Sequence, residues 1–158
     1  MCVAYLSAQR SKDPNTQVGA CIVNAMKRIA GVGYNGFPQG CSDDILPWSR
    51  STDGNGEGVE TKYLYVCHAE ANAILNKGGA DIHGSTLYVD LFPCNECAKM
   101  IIQAGIKEVV YLRDTYHNDD KCRASRIMFQ MSGVTYRQHQ LSVNQILLDL
   151  RKGESSFV

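Results

Sequence analysis

The sequence predicts an α/β domain: a mixed five-stranded sheet with helices on both faces. Three observations carry this reading. Runs rich in apolar and β-branched residues at Val18–Val23, Arg28–Tyr34, Thr86–Leu91, Glu108–Leu112 and Val134–Arg137 supply the strands. The first two are separated only by Asn24–Lys27, so they read as an antiparallel hairpin. The last three alternate with helical stretches, and strand–helix–strand connections imply parallel pairing through crossover helices.

The elements follow in order. Met1–Ser11 is helical, with Val3, Ala4, Leu6 and Ala8 as its apolar residues. Asp13-Pro14-Asn15 breaks that helix and sets a turn. Tyr34-Asn35-Gly36 closes the second strand. Phe37–Tyr65 has little periodicity and reads as a long functional loop, anchored by Trp48 and made mobile by Gly54, Gly56 and Gly58. His68–Lys77 is a second helix. The third strand runs straight into a helix over Cys94–Ala104, which Pro93 opens and Gly105 stops. Lys121–Met131 is the last internal helix. Ile146-Leu147-Leu148 is an apolar tail segment, and Arg151–Val158 reads as a frayed end. No internal repeat or linker interrupts the chain, so residues 1–158 read as one domain.

Composition narrows the function. A chain of 158 residues with 44% hydrophobic and 20% charged side chains can bury a sizeable core. Sixteen basic residues balance sixteen acidic ones, which argues against a nucleic-acid polymer as partner but permits a small anionic ligand. Seven cysteines are an odd number, and the amino terminus carries no secretory leader. Reduced thiols and a metal site in the cytosol fit better than disulfides, with a nuclear share left open. No apolar run approaches the ~20 residues that span a bilayer.

The chemistry concentrates between Val66 and Cys97. His68-Ala69-Glu70 and Pro93-Cys94-Asn95-Glu96-Cys97 together offer one imidazole, two thiolates and a carboxylate. Zn²⁺ binds nitrogen and sulfur tetrahedrally, and three protein ligands leave a position for water, as in catalytic rather than structural sites. Cys94 and Cys97 at i and i+3 share a helix face, and the positive end of that helix favours thiolate. With His68 in the first turn of its own helix, Glu70 projects about 200° away and is free to handle protons rather than to ligate. Spacing of this kind, H-x-E followed by P-C-x-x-C, is that of the zinc-dependent nucleobase deaminases. The alternatives are a structural zinc closed by Cys67 or Cys41 as a fourth ligand, and a redox Cys-x-x-Cys. Neither uses His68 and Glu70 together.

Val18-Gly19-Ala20, Tyr34-Asn35-Gly36, His68-Ala69-Glu70 and Pro93-Cys94…Cys97 resemble the cytidine deaminase-like superfamily. Ser7–Val23, Cys41-Ser42-Asp43-Asp44, Thr61-Lys62-Tyr63, Tyr65–Asn72 and Leu91–Val109 narrow the resemblance to the deoxycytidylate (dCMP) deaminase family. The resemblance implies a three-layer α-β-α fold and hydrolysis of dCMP to dUMP and ammonia, feeding thymidylate synthesis. It implies His68, Cys94 and Cys97 as zinc ligands, Glu70 as the catalytic proton shuttle, and Asn35 and Tyr116 as substrate-binding residues. It also implies a homohexamer activated by dCTP and inhibited by dTTP, each with Mg²⁺, with Asn35, Gly36, Asp43 and Lys62 as candidates for that regulatory site. The remaining alternatives are a deaminase of another cytosine or adenine compound and a catalytically silent zinc-stabilised binding protein.

A nucleotide phosphate needs donors, and Arg10, Lys12, Lys62, Arg113, Arg123 and Arg126 are the candidates. Arg123 and Arg126 share a helix face, and Arg113 precedes Tyr116 in one loop, so this carboxy-terminal group is favoured.

Overall fold

The computed structural model describes residues 1–50 and 58–141. The expected mobile glycine loop falls mostly, and the apolar tail and frayed end wholly, outside the described residues. The elements in chain order are α1 (Cys2–Ala8), β1 (Gly19–Val23), β2 (Ile29–Tyr34), a 3-10 turn (Lys62–Leu64), α2 (Ala69–Leu75), β3 (Thr86–Leu91), α3 (Asn95–Gln103), β4 (Glu108–Arg113), α4 (Asp120–Ser132) and β5 (Thr135–Gln138). No helix among the described residues is long and apolar enough to cross a membrane.

The sheet order is β2-β1-β3-β4-β5. β1 pairs antiparallel with both β2 and β3. β3–β4 and β4–β5 are parallel, as the intervening helices require. The expected mixed sheet of five strands is therefore present.

Small residues decide how closely the helices approach. On β1, a Cβ on Gly19 would lie 1.9 Å from the Ala4 carbonyl oxygen, so α1 rests directly on that face. On the opposite face Gly31 and Gly33 admit the backbone of α2 at Ala69 and Ala73. α3 packs between α2 and α4. The core joins Ala20, Ile22, Leu87, Val89 and Val109 of the strands to Ala69, Ala73, Ile101 and Phe129 of these helices. This gives the three-layer arrangement, with helices on both faces.

Helix ends differ from the sequence reading by one to three residues, the largest at α1, which ends at Ala8 rather than Ser11, and two differences matter for the site. His68 is the N-cap of α2 and Cys94 the N-cap of α3, both with extended backbone. Each residue lies just outside its helix rather than in the first turn. Gly105 stops α3 as expected: its φ of 74° is the left-handed conformation that closes a helix.

Candidate active site

The site is built where α2 and α3 begin. Gly36 and Cys67 form an isolated antiparallel bridge, with backbone hydrogen bonds of 3.1 Å and 2.8 Å. That bridge ties the end of β2 to the residue before His68. On the other side, β3 leads through buried Phe92 and Pro93 into Cys94. Two N-caps thus meet at the same end of the sheet.

His68 Nδ1 lies 3.4 Å from Cys94 Sγ and 3.3 Å from Cys97 Sγ. Two ligands on one tetrahedral Zn²⁺, with Zn–S of about 2.3 Å and Zn–N of about 2.05 Å, stand about 3.5 Å apart, so these separations match a shared ion. All three donor atoms lie within 4.8 Å of one another, and no fourth Cys, His, Asp or Glu joins them among the described residues. Cys67 and Cys41, which the alternative structural site would need as a fourth ligand, stay outside. The donor set therefore fits Zn²⁺ with an open position.

Electrostatics agree with that fit. The hydrogen bond from Cys97 holds the Cys94 thiol down at about 3. Cys97 is raised well above its ordinary value by that bond and by burial. The hydrogen bond to Cys94 lifts His68 to about 9. The three groups share protons tightly, and a bound cation takes the place of such protons.

Glu70 occupies the second residue of α2 and is 4% exposed. Burial pushes its carboxyl up to about 7. It lies beside the ligands without being one. His68 is at the surface and Cys94 is half-buried, so the site opens on the His68 side. The first turn of α4 stands close by. Lys121 is near enough to oppose protonation of His68, and the Cys122 thiol, raised to about 11 chiefly by burial, also feels Cys94.

None of the substrate and regulatory candidates belongs to the metal-donor set. Asn35 is buried, and its amide is engaged inside the chain. Oδ1 accepts from the Val18 N–H at 2.8 Å, and Nδ2 donates to Thr16 O at 2.9 Å and Asp13 Oδ2 at 3.2 Å. Lys62, also buried, forms an ion pair with the same Asp13 oxygen. Asn35 and Lys62 therefore meet on Asp13, a residue the sequence marked only as a turn former. Asp13 Oδ1 does make that turn, accepting from the Asn15 and Thr16 N–H groups. Asp43 pairs with exposed Lys12 at 2.6 Å. Trp48 anchors the loop as expected: its ring stacks on Phe37 at 4.1 Å, and Nε1 donates to Asp43 O.

Tyr116 is exposed and lines a cleft of about 410 Å³ together with Tyr5, Asn15, Gln17, Asp90 and Arg113. None of the zinc-site residues lines this cleft. Each favoured arginine has an acidic partner. Arg113 donates to buried Asp90 at 2.9 Å, Arg123 to Asp120 at 3.0 Å, and Arg126 pairs with Asp114. Asp90, which also accepts from the Gly19 N–H at 3.0 Å, was missed by sequence reasoning. Its signal was an acidic residue in an otherwise apolar strand.

Residues 1–113 match the family model for the cytidine and deoxycytidylate deaminase zinc-binding region. The chain belongs to the cytidine and deoxycytidylate deaminase family. It is 58% identical to human deoxycytidylate deaminase over 149 residues, covering 94% of this chain and 82% of the human one. A probable deoxycytidylate deaminase of Drosophila melanogaster is 53% identical over 151 residues, covering 94% of this chain and 74% of its own. Among solved structures, dCMP deaminase from the cyanophage S-TIM5 in its apo form superposes with a TM-score of 0.65 at 30% identity, covering 86% of this chain and 90% of that one. The same phage enzyme in complex with dCMP and dUMP gives a TM-score of 0.67 at 29% identity and the same coverage.

Proposed function

We propose that this chain is a dCMP deaminase, converting dCMP and water to dUMP and ammonia. The observation that carries the chemistry is the meeting of His68, Cys94 and Cys97 around buried Glu70, with no fourth ligand among the described residues. The choice of dCMP rests on 58% identity to a deoxycytidylate deaminase and on likeness to a deaminase solved with dCMP and dUMP.

Zn²⁺ held by His68, Cys94 and Cys97 would supply a Lewis acid that makes water nucleophilic near neutral pH. The chain's own residues do the rest. Glu70 takes a proton from the attacking water and delivers it to the ring nitrogen beside the attacked carbon. It then carries a second proton to the departing amine, acting first as base and then as acid. Burial in the first turn of α2 keeps the carboxylate in one place and shields it from solvent. Asn35, which ties the loop at 13–18 to the end of β2, is one proposed substrate-binding residue. Tyr116, on the loop between β4 and α4, is the second proposed substrate-binding residue.

The regulatory part of the reading follows the sequence resemblance: dCTP as activator and dTTP as inhibitor, each with Mg²⁺, in a cytosolic homohexamer of single-domain chains. Asn35, Gly36, Asp43 and Lys62 are the proposed regulatory residues. In support, one hydrogen-bonded network links three of them. Asn35 and Lys62 share Asp13, the Asp13 turn carries Asn15, and Asn15 donates to the carbonyl of Trp48, whose indole reaches Asp43.

Ammonia release from dCMP by zinc-loaded protein, with and without Mg²⁺-dCTP, tests the proposal. CMP and deoxycytidine serve as competitors, and Glu70→Ala as control. Turnover of dCMP that Glu70→Ala abolishes and dCTP raises is the expected result. Fully zinc-loaded protein inert on all three compounds overturns it.

A further inference from the structure

We propose that Arg126 is a positioning residue, which holds the β4–α4 loop bearing Tyr116 in register with the Pro93-Cys94 side of the zinc site. The inference rests on the deaminase reading and adds to it a residue outside the motifs.

Arg126 lies on α4, one turn beyond Cys122, and is three-quarters buried. Its guanidinium touches both structures that must be kept together. Its face lies 4.3 Å over the ring of Phe92, two residues before Cys94. Its edge pairs with Asp114 and donates to the carbonyl of His117 at 3.4 Å, so it grips the loop on both sides of Tyr116. A further bond to its own helix at Cys122 O, 3.1 Å, fixes the side chain. Phe92 is itself wedged edge-on against Tyr111, Phe129 and Tyr136, so it is a stiff surface for the guanidinium.

The arrangement is directional. Asp114 has one carboxylate oxygen on Arg126, and the other is buried with no hydrogen-bond partner among the described residues. Removing the guanidinium leaves a largely buried carboxylate without its counter-ion, which must turn outward to reach water. Asp114 begins the loop, so that movement carries Thr115, Tyr116 and His117 with it. Arg126 is outside the metal-donor set and carries no proton for the reaction, so its effect falls on how substrate is held rather than on proton transfer. Lysine keeps the charge but loses the planar fork and the stacking, and so substitutes only in part.

The test measures KM and kcat on dCMP for wild type, Arg126→Gln, Arg126→Lys, Asp114→Asn and the double variant Asp114→Asn/Arg126→Gln. Zinc content and dCMP binding are measured beside them, the latter in a Glu70→Ala background that cannot turn substrate over. Loss of a charge-assisted pair predicts KM and the dCMP dissociation constant raised about tenfold in Arg126→Gln, with kcat within about threefold and zinc retained. Arg126→Lys falls between, and the double variant is no worse than the poorer single variant, because both remove one interaction. Unchanged KM and binding, additive losses, or losses that follow zinc content overturn the proposal. Wild-type protein that binds dCMP without turnover defeats the deaminase reading alone, and protein that neither binds nor turns over dCMP defeats both.

Discussion

Replacing Gly33 with alanine tests how β2 sets the position of the zinc-site helix. A Cβ at this position would lie 2.3 Å from Ala69 O, 2.3 Å from Ala73 N and 2.8 Å from the carbonyl carbon of Asn72. All three are backbone atoms of α2, so no side-chain rotation can relieve the overlap. Ordinary contact at about 3.4 Å requires α2 to retreat by about 1 Å. α2 is stitched to β2 by Asn72 Nδ2 donating to Tyr34 O at 2.8 Å and Asn76 Nδ2 to Val32 O at 3.3 Å, so retreat also stretches these bonds. Overpacking of this kind costs about 1–3 kcal/mol. For a domain of this size that lowers Tm by about 3–10 °C. Because His68 caps α2 and Glu70 sits in its first turn, the same movement misplaces the proposed ligand and the proposed proton carrier. A 1 Å misplacement costs about 100-fold in rate. Thermal melts, zinc content and kcat/KM on dCMP would be measured beside Gly79→Ala, where a Cβ meets nothing within 4 Å. A Gly33→Ala protein as stable and active as Gly79→Ala would refute the claim that backbone contact fixes this helix.

Glu70→Gln keeps the shape but removes the proposed proton carrier, so kcat on dCMP should fall by about 10²–10⁴ while zinc content, read by metal analysis, stays at wild type. Lys62→Met leaves the buried Asp13 carboxylate without its cation and should cost about 3–5 kcal/mol in urea unfolding; a loss under 1 kcal/mol would show the pair to be incidental. Burial works against ionisation of Glu108, yet Arg137 and Thr86 prevail and hold its carboxyl below the ordinary 4.5. A depressed carboxyl stabilises above its unfolded value, and that contribution disappears as pH falls through the folded value. The Tm gap between wild type and Glu108→Gln should therefore be widest above pH 5 and close as pH drops below 4.5; a gap constant with pH would refute this.

Much of the protein was legible in the sequence because its signals are local. Strand and helix periods placed the five strands and four helices of the described residues within a few residues. Chain order alone required parallel pairing from β3 onward. His68, Cys94 and Cys97 stood out because a tetrahedral zinc centre demands particular ligand types at spacings that reach one ion, and Glu70 because it lies two residues from His68. The detailed capping was not legible, since whether His68 and Cys94 stand in the first turn or just before it depends on the strands feeding those helices.

Tertiary structure decided what depends on partners distant in sequence. Asp13, Asn35 and Lys62 converge only because the α1–β1 loop, the end of β2 and the long loop meet at one point. Sequence made Asp13 a turn former, and the fold gave its second oxygen a buried lysine 49 residues away. The basic residues show the same division. Arg113, Arg123 and Arg126 were equivalent phosphate candidates in sequence, yet each is paired with a different carboxylate, and only Arg126 also lies on an aromatic ring beside the zinc loop. Ligand chemistry is written into residue type and spacing. The counter-ion of a buried charge is chosen by packing, and that choice exists only once the chain has folded.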